Sequence, residues 1–368
     1  AYTTYMQKFL VNTSGFSAEA ATRITAAALF LFMLLQPVVG ALSDRIGRKP
    51  VMIAFGIAGV LFTYPIFRTL EDVKDPYQAF ALVLGATAER MRLGVTIVFA
   101  ALWSTLIYAP IAHWIWHPEG WLAQQGHMDF AGGTVVHISA GASGLVAAWV
   151  LGPRRGFGKE PMVPHNLLIT VLGAGLLWAG WFGFNAGSAF EASARAGGAL
   201  LATQVAACAG AMLWGFCEFM RRGQWSVLGT MTGAIAGLIA VTPASGFVGF
   251  NGAMIIGAVA GVICFFSVVG FKALTGIDDS LDVFALHGVG GIVGTVLTPV
   301  FATAAIAPVT ATVLTNTIGA AAVMAYAGAG TWIILRVIGL VVPLRVDAEQ
   351  EKVGLDIAQH GEMLAPNA

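Results

Sequence analysis

Eleven runs of apolar residues, most about as long as a bilayer core is thick, dictate what this chain can fold into. They cover about 20–42, 51–69, 76–88, 94–115, 131–151, 166–188, 197–219, 227–242, 252–271, 283–302 and 309–342. A helical span needs roughly 20 apolar residues. The run at 76–88 is short, and the last is long enough to tilt or protrude. Lipid offers backbone N–H and C=O groups no partner, so these runs must be helices. The expected fold class is an all-α polytopic membrane protein with about eleven transmembrane helices. Composition agrees: 10% of residues are charged, against about 25% in soluble domains. The 46 glycines suit close helix packing in lipid. Cys208, Cys217 and Cys264 all lie in apolar runs and read as reduced packing residues. Formal net charge is zero, so no nucleic-acid partner is implied. No cofactor and no enzymatic chemistry is expected. No cleavable signal peptide is expected either, because Ala1–Thr4 begins mid-pattern.

The basic residues set the orientation. Arg45, Arg48, Lys49, Arg90, Arg92, Arg154, Arg155, Lys159, Arg221, Arg222, Lys272, Arg345 and Lys352 fall in alternate loops and the tail. The other side holds Lys8, Arg23, Arg68, Lys74 and Arg195. The positive-inside rule then places the N-terminus outside and the C-terminus in the cytoplasm. An odd number of spans agrees. The expected location is the inner (plasma) membrane.

Within these runs one pattern occurs twice. Asp129 precedes His137, Gly141, Gly144 and Val146; Asp279 precedes His287, Gly291, Gly294 and Val296. Both read D-x7-H-x3-G-x2-G-x-V. The two runs point in opposite directions, so the copies suggest inverted repeats about a pseudo-twofold axis. If each Asp starts its helix, eight residues advance about 12 Å, close to the ~15 Å half-thickness of the hydrocarbon core. Both imidazoles then approach the midplane and can meet there. A histidine at that depth is expensive and marks function by default. A pair can line a path for a small polar solute, relay protons or bind a metal. Metal is disfavoured, because no Cys, Asp or Glu accompanies the histidines at midplane depth. The alternative is two histidines that bond only to helix backbone.

Asp129 can cap its helix or attract a cation. An Asn there keeps an acceptor oxygen and is expected to cap nearly as well. Asp278, Asp279 and Asp282 are expected as solvated caps at a helix start. Trp114, Trp116, Trp178, Trp181, Phe182 and Phe184 read either as an interfacial belt or as a cation–π vestibule and hydrophobic gate.

Beyond about Gly85 the chain resembles the ammonium transporter (Amt/Rh) family. The matching segments are Ala86–Arg90 (ATAER), Tyr108–Trp116 (YAPIAHWIW), Asp129–Ile138 (DFAGGTVVHI), Gly156–Glu160 (GFGKE) and Pro164–Asn166 (PHN). Gly180–Ala189 (GWFGFNAGSA), Gly233–Ala244 (GAIAGLIAVTPA), Asp282–Gly294 (DVFALHGVGGIVG) and Gly354–Glu362 (GLDIAQHGE) continue it. The resemblance covers roughly three quarters of the chain. It implies homotrimers of eleven-span subunits, each enclosing a pore that carries ammonium or ammonia. His137 and His287 then correspond to the twin pore histidines. Trp116 and Ser188 belong to an outer ammonium site, with Asp129 supporting recognition. Phe184 is one of two stacked gate phenylalanines, and Trp181 lines the pore beside it. The tail is expected to dock a cytoplasmic regulatory protein.

Residues 1–84 resemble the major facilitator superfamily, near its α-ketoglutarate permease branch of metabolite:proton symporters. Gly40–Pro50 (GALSDRIGRKP) carries that superfamily's loop motif, and Ala1–Thr13 and Asp75–Leu84 match the same branch. The expected division is therefore 1–84 major-facilitator-like, 85–342 pore domain and 343–368 cytoplasmic tail. Asp75 and Glu71 occupy the spacing at which the family's second gate phenylalanine and outer aromatic should lie. Competing readings are organic acid:proton symport, and a sensor or misassembled hybrid that transports nothing.

Overall fold

The computed structural model describes residues 76–160, 162, 164 and 166–361. The runs at 20–42 and 51–69, with Arg45, Arg48 and Lys49 between them, lie outside the described residues, as does the end of the tail. The compact unit that carries the site begins at Pro76.

Its helices are α1 (Pro76–Thr87), α2 (Leu93–Trp103), α3 (Ala109–Trp116), α4 (Ser139–Leu151), α5 (Leu167–Ala186), α6 (Ala194–Arg222), α7 (Val227–Val241), α8 (Phe250–Thr275), α9 (Val289–Phe301), α10 (Val313–Gly339) and a short tail helix, α11 (Ala348–Val353). Among the described residues there are no strands, only isolated bridges at Met91–Arg345 and Val248–Ala302. Among the described residues, seven helical stretches are long and apolar enough to cross a membrane. Helix α7 is shorter but apolar. Nine of the eleven runs thus have a helix, and the first two lie outside the described residues.

Polar side chains at the helix starts set the boundaries. Asn166, Ser193 and Ser226 accept N–H bonds from Ile169, Ala196 and Gly229 at the starts of α5, α6 and α7. Thr312 and Thr315 cap each other's backbone at the start of α10. Each such cap satisfies N–H groups that a helix start otherwise leaves unbonded.

The sequence pattern does not announce three π-helical turns inside the spans. Ser104–Tyr108 joins α2 to α3; Gly133–Ile138 leads into α4; Phe284–Gly288 leads into α9. The second and third hold His137 and His287. Such turns are rare and concentrate at functional sites.

The repeated glycines explain how those two turns pack. A Cβ on Gly141 would strike the backbone of Gly288 and come 3.3 Å from the carbonyl carbon of His287. A Cβ on Gly291 would come 3.0 Å from the Gly133 carbonyl oxygen and 3.1 Å from Cβ of His137. Each copy's first glycine therefore makes room for the other copy's histidine turn.

Helix α1 runs unbroken through Leu84–Gly85. Its Ala86 is fully buried with Ala148 of α4 and Val283. Trp181, Trp214, Leu238, Ile239, Phe265 and Leu286 form a core cluster beside the histidine pair. Cys264 belongs to that cluster, and all three cysteines are free thiols.

Candidate functional site

Asp129 starts the site. Its Oδ1 accepts N–H bonds from Gly132 and Gly133, both at 2.8 Å, and its Oδ2 accepts from Thr134 at 2.8 Å and Val135 at 3.0 Å. All four unbonded donors of a helix start are thereby satisfied by one buried carboxylate. Both of its oxygens are used. The expectation that Asn would cap nearly as well is therefore corrected, since an amide would turn its NH2 toward two N–H donors. The Phe130 and Ala131 N–H groups donate to the Pro243 and Thr242 carbonyls, which pins this loop to the end of α7. Trp116 donates its indole N–H to the Asp129 carbonyl at 2.8 Å.

The second copy is capped differently. Asp279 Oδ2 accepts from Phe284 N–H at 2.7 Å, while Oδ1 is buried without a hydrogen-bond partner. Asp278 and Asp279 are each 1% exposed, which corrects their reading as solvated caps. Asp278 is held by Arg154, whose Nε and Nη2 donate to its two oxygens at 2.8 and 2.9 Å. Burial pushes the Asp278 carboxyl up, but Arg154 outweighs it and the net shift is downward. Asp279 has no such partner, and burial raises its pKa to about 6. Asp282 is half-buried, and its carboxylate pairs with Lys272 at 3.0 Å.

One turn inward, the two imidazoles meet. His137 Nδ1 and His287 Nδ1 are 3.3 Å apart, and the rings are 2% and 7% exposed. The spacing argument from the two Asp residues called for this contact. Thr242 assigns its polarity. Its hydroxyl donates to the Leu238 carbonyl at 2.7 Å and accepts the Trp181 indole N–H at 2.9 Å. A hydroxyl has one proton and two lone pairs, so its contact at 3.4 Å with His137 Nε2 must be accepted from a ring N–H. His137 then offers a bare Nδ1, to which His287 Nδ1–H donates. That leaves His287 Nε2 as an acceptor.

The aromatic neighbours stand on one side of this pair. Trp181 and Phe184 lie 5.4 and 6.0 Å from the His137 ring, and 5.8 Å from each other edge to face. Ser188 is buried, and its hydroxyl donates to the Phe184 carbonyl at 2.8 Å. The predicted residues thus fall into two linked sets. Trp116 goes with Asp129. Phe184 and Trp181 go with His137 and His287, and Ser188 bonds back to Phe184 one turn earlier. Sequence reasoning did not single out Thr242, Thr134, Thr295, Asn316 or His127, all buried beside these sets. Thr134 and Thr242 lay within quoted motifs; a lone buried hydroxyl or amide has no periodicity to betray it.

The family model described as "Ammonium Transporter Family" matches residues 52–365. This chain belongs to that family. It is 43% identical over 291 residues to an ammonium transporter of Bacillus subtilis (strain 168), covering 77% of this chain and 71% of that one. An ammonium transporter of Aquifex aeolicus (strain VF5) is 46% identical over 289 residues, covering 77% and 67%. Among solved structures, Saccharomyces cerevisiae Mep2 superposes with a TM-score of 0.68 at 38% identity, covering 74% of this chain and 64% of that one. This family member is therefore a multi-pass, all-helical membrane protein of a transporter family and not an enzyme. It spans about two thirds of the length of these relatives. Membership sets organic acid:proton symport aside for the described helices. The family match also begins N-terminal to Gly85, at residue 52, within the stretch expected to be major-facilitator-like.

Proposed function

We propose that this protein conducts ammonia, drawn from external ammonium, through a pore lined by His137 and His287. The observation that carries the reading is the buried imidazole pair at 3.3 Å, flanked by Trp181 and Phe184. An ammonium ion sheds water only at a cost of several kcal/mol, and a charge at the bilayer centre is costlier still. Neutral ammonia avoids both costs, and it is a hydrogen-bond donor suited to the acceptor at His287 Nε2. The Trp116 ring, the Ser188 hydroxyl and the field of Asp129 serve as the outer recruitment site. Phe184 and Trp181 form the hydrophobic gate. The ion leaves a proton outside or on the relay and regains one in the cytoplasm.

The finer organisation is proposed with it. Eleven spans carry two inverted repeats, supported by the shared D-x7-H pattern and by the reciprocal glycine contacts of Gly141 and Gly291. The N-terminus is outside and the tail cytoplasmic, in the plasma membrane, by the distribution of Lys and Arg. Homotrimers form, and the tail at 343–368 docks a cytoplasmic regulator. Residues 85–342 are the pore domain. The major-facilitator-like segment at 1–84 overlaps the family match from residue 52, so residues 1–51 are its testable part. A chain starting at residue 52 that conducts as well as the whole would assign 1–51 no role in the pore.

Purified protein in proteoliposomes should give ammonium- and methylammonium-dependent uptake that His137→Ala abolishes. Equal uptake in liposomes with and without the wild-type protein would refute conduction. Uptake undiminished in His137→Ala would refute the histidine pathway.

A further inference from the structure

Two residues before Asp129, a histidine outside the pore is buried for no reason yet given. His127 is 7% exposed. Its Nε2 lies 3.0 Å from the Thr134 hydroxyl, and that hydroxyl lies 2.9 Å from the hydroxyl of Thr295 on α9. Thr134 is doubly tied, because its backbone N–H is one of the four donors to Asp129. Between His127 and Asp129, the backbone of Met128 is clamped by Asn316 of α10. Its N–H donates to Asn316 Oδ1 at 3.0 Å, and its carbonyl accepts from Asn316 Nδ2 at 3.1 Å. Asn316 Nδ2 also donates to the Thr295 carbonyl at 2.7 Å. Helix α10 is notched to receive the ring: a Cβ on Gly319 would fall onto His127 Nδ1. Interiors are close-packed, so a glycine at this position is what lets the ring lie against the helix.

We propose that His127 is a positioning residue for the outer cation site, holding the Asp129-capped helix start through Thr134 and Thr295 and coupling cation capture to the external proton concentration. This rests on the recruitment role given to Asp129 above. The Thr315 backbone beside the ring favours the neutral tautomer with its proton on Nδ1, and Nε2 then accepts from the Thr134 hydroxyl. Protonation makes both ring nitrogens donors, so Thr134 must turn its own proton toward Thr295. The new positive charge also stands beside Asp129 and offsets the field that draws a cation in. The groups around the ring are few. Asp129 is the charged one on its own loop; Thr134 faces it from the helix start, Thr295 from α9, and the Thr315 backbone and Asn316 from α10. Burial lowers the pKa of His127 and Asp129 pulls it back up, with burial the larger effect. The ring is therefore neutral at pH 7 and charges only in acid.

The test is methylammonium uptake by the full chain in proteoliposomes, with KM and Vmax measured between external pH 5 and 8. His127→Ala should raise KM about fivefold at pH 7.5, the factor equivalent to one lost hydrogen bond, with Vmax little changed. His127→Gln, whose amide reaches Thr134 but does not titrate, should restore KM at pH 7.5. It should also lose the rise in KM that the wild type shows as pH falls. Gly319→Ala should raise KM as His127→Ala does, by displacing the ring. An unchanged KM in His127→Ala, or a His127→Gln profile parallel to that of the wild type, would overturn the proposal. Stabilisation of the detergent-solubilised protein against heat by ammonium chloride, across the same pH range, separates the two readings. Wild-type protein that is stabilised but does not transport refutes conduction, while His127→Gln still reports on positioning. Wild-type protein that is neither stabilised nor active refutes both.

Discussion

Asp129→Asn is the substitution on which the site's logic can be weighed. Oδ1 accepts from Gly132 and Gly133, and Oδ2 from Thr134 and Val135. Asn keeps the first two bonds. In place of Oδ2 it presents an NH2 to two backbone donors that are buried from water. A hydrogen bond to a charged group contributes about 1.5–3 kcal/mol net, and a stranded buried donor costs about 1–3 kcal/mol. The loss of two such bonds, softened by local rearrangement, comes to roughly 2–6 kcal/mol. Asp129→Ala strands all four donors and should cost more still. Denaturation of both variants in detergent, with methylammonium uptake normalised to folded protein, measures the two effects separately. The expected order of stability is wild type, then Asn, then Ala, with most uptake lost in both variants. An Asn variant within about 0.5 kcal/mol of wild type, the scatter of neutral surface changes, would refute the claim that both oxygens carry the cap. Normal uptake per folded molecule would refute the role of the charge.

The other expectations are simpler to state. Arg154→Ala removes the two-point side-chain grip on buried Asp278 but leaves it the Arg154 backbone N–H and Arg90 at 3.8 Å, so it should cost less than the about 3–5 kcal/mol of a wholly stranded charge, as read by denaturation at pH 7.5. Because the folded Asp278 carboxyl is depressed, its contribution is present above the ordinary value of about 3.9 and is lost as pH falls through the folded one; Arg154→Ala should shrink that acid-side loss. Asp279 has the opposite sign. Raised to about 6, it opposes folding once ionised, so Asp279→Asn should stabilise by up to about 3 kcal/mol at pH 7.5. That advantage should vanish below about pH 4, and a pH-independent difference would contradict it. Thr242→Val keeps the volume but leaves the Trp181 N–H and His137 Nε2 without their shared acceptor, so uptake should fall sharply while the protein still folds. Gly141→Ala should be worse tolerated than Gly144→Ala, because backbone, not side chain, lies in the way of its Cβ.

How much of this the sequence disclosed differs from feature to feature. Hydropathy alone located the nine described runs, because lipid allows a span few other forms. The D-x7-H spacing brought His137 and His287 together, because helical rise is nearly invariant. What escaped was lateral. Thr242 sits between Trp181 and His137 through tertiary packing, and Asn316 lies far along the chain from the Met128 it clamps. Neither contact leaves a period or a motif. Asp278 and Asp279 read as solvated because helix starts usually are. Arg154, from a distant loop, covers the first of them, and nothing local to either residue foretells it.

The π-helical turns give the repeat a property that no helical wheel captures. Each adds one residue to a turn of helix, so the residues after it are rotated by about 100° relative to those before it. Each turn follows its Asp and carries its His near its end, so the cap is set in one phase, and the histidine with the glycines that follow in another. One stretch of chain thus aims both its imidazole and its first small residue at the opposite repeat. Deleting a single residue from Gly133–Ile138 would leave an ordinary helix turn, still led by Asp129 and still able to span. Its histidine and its glycines would then turn together away from the opposite repeat. The defect would be one of phase, in a helix that still inserts.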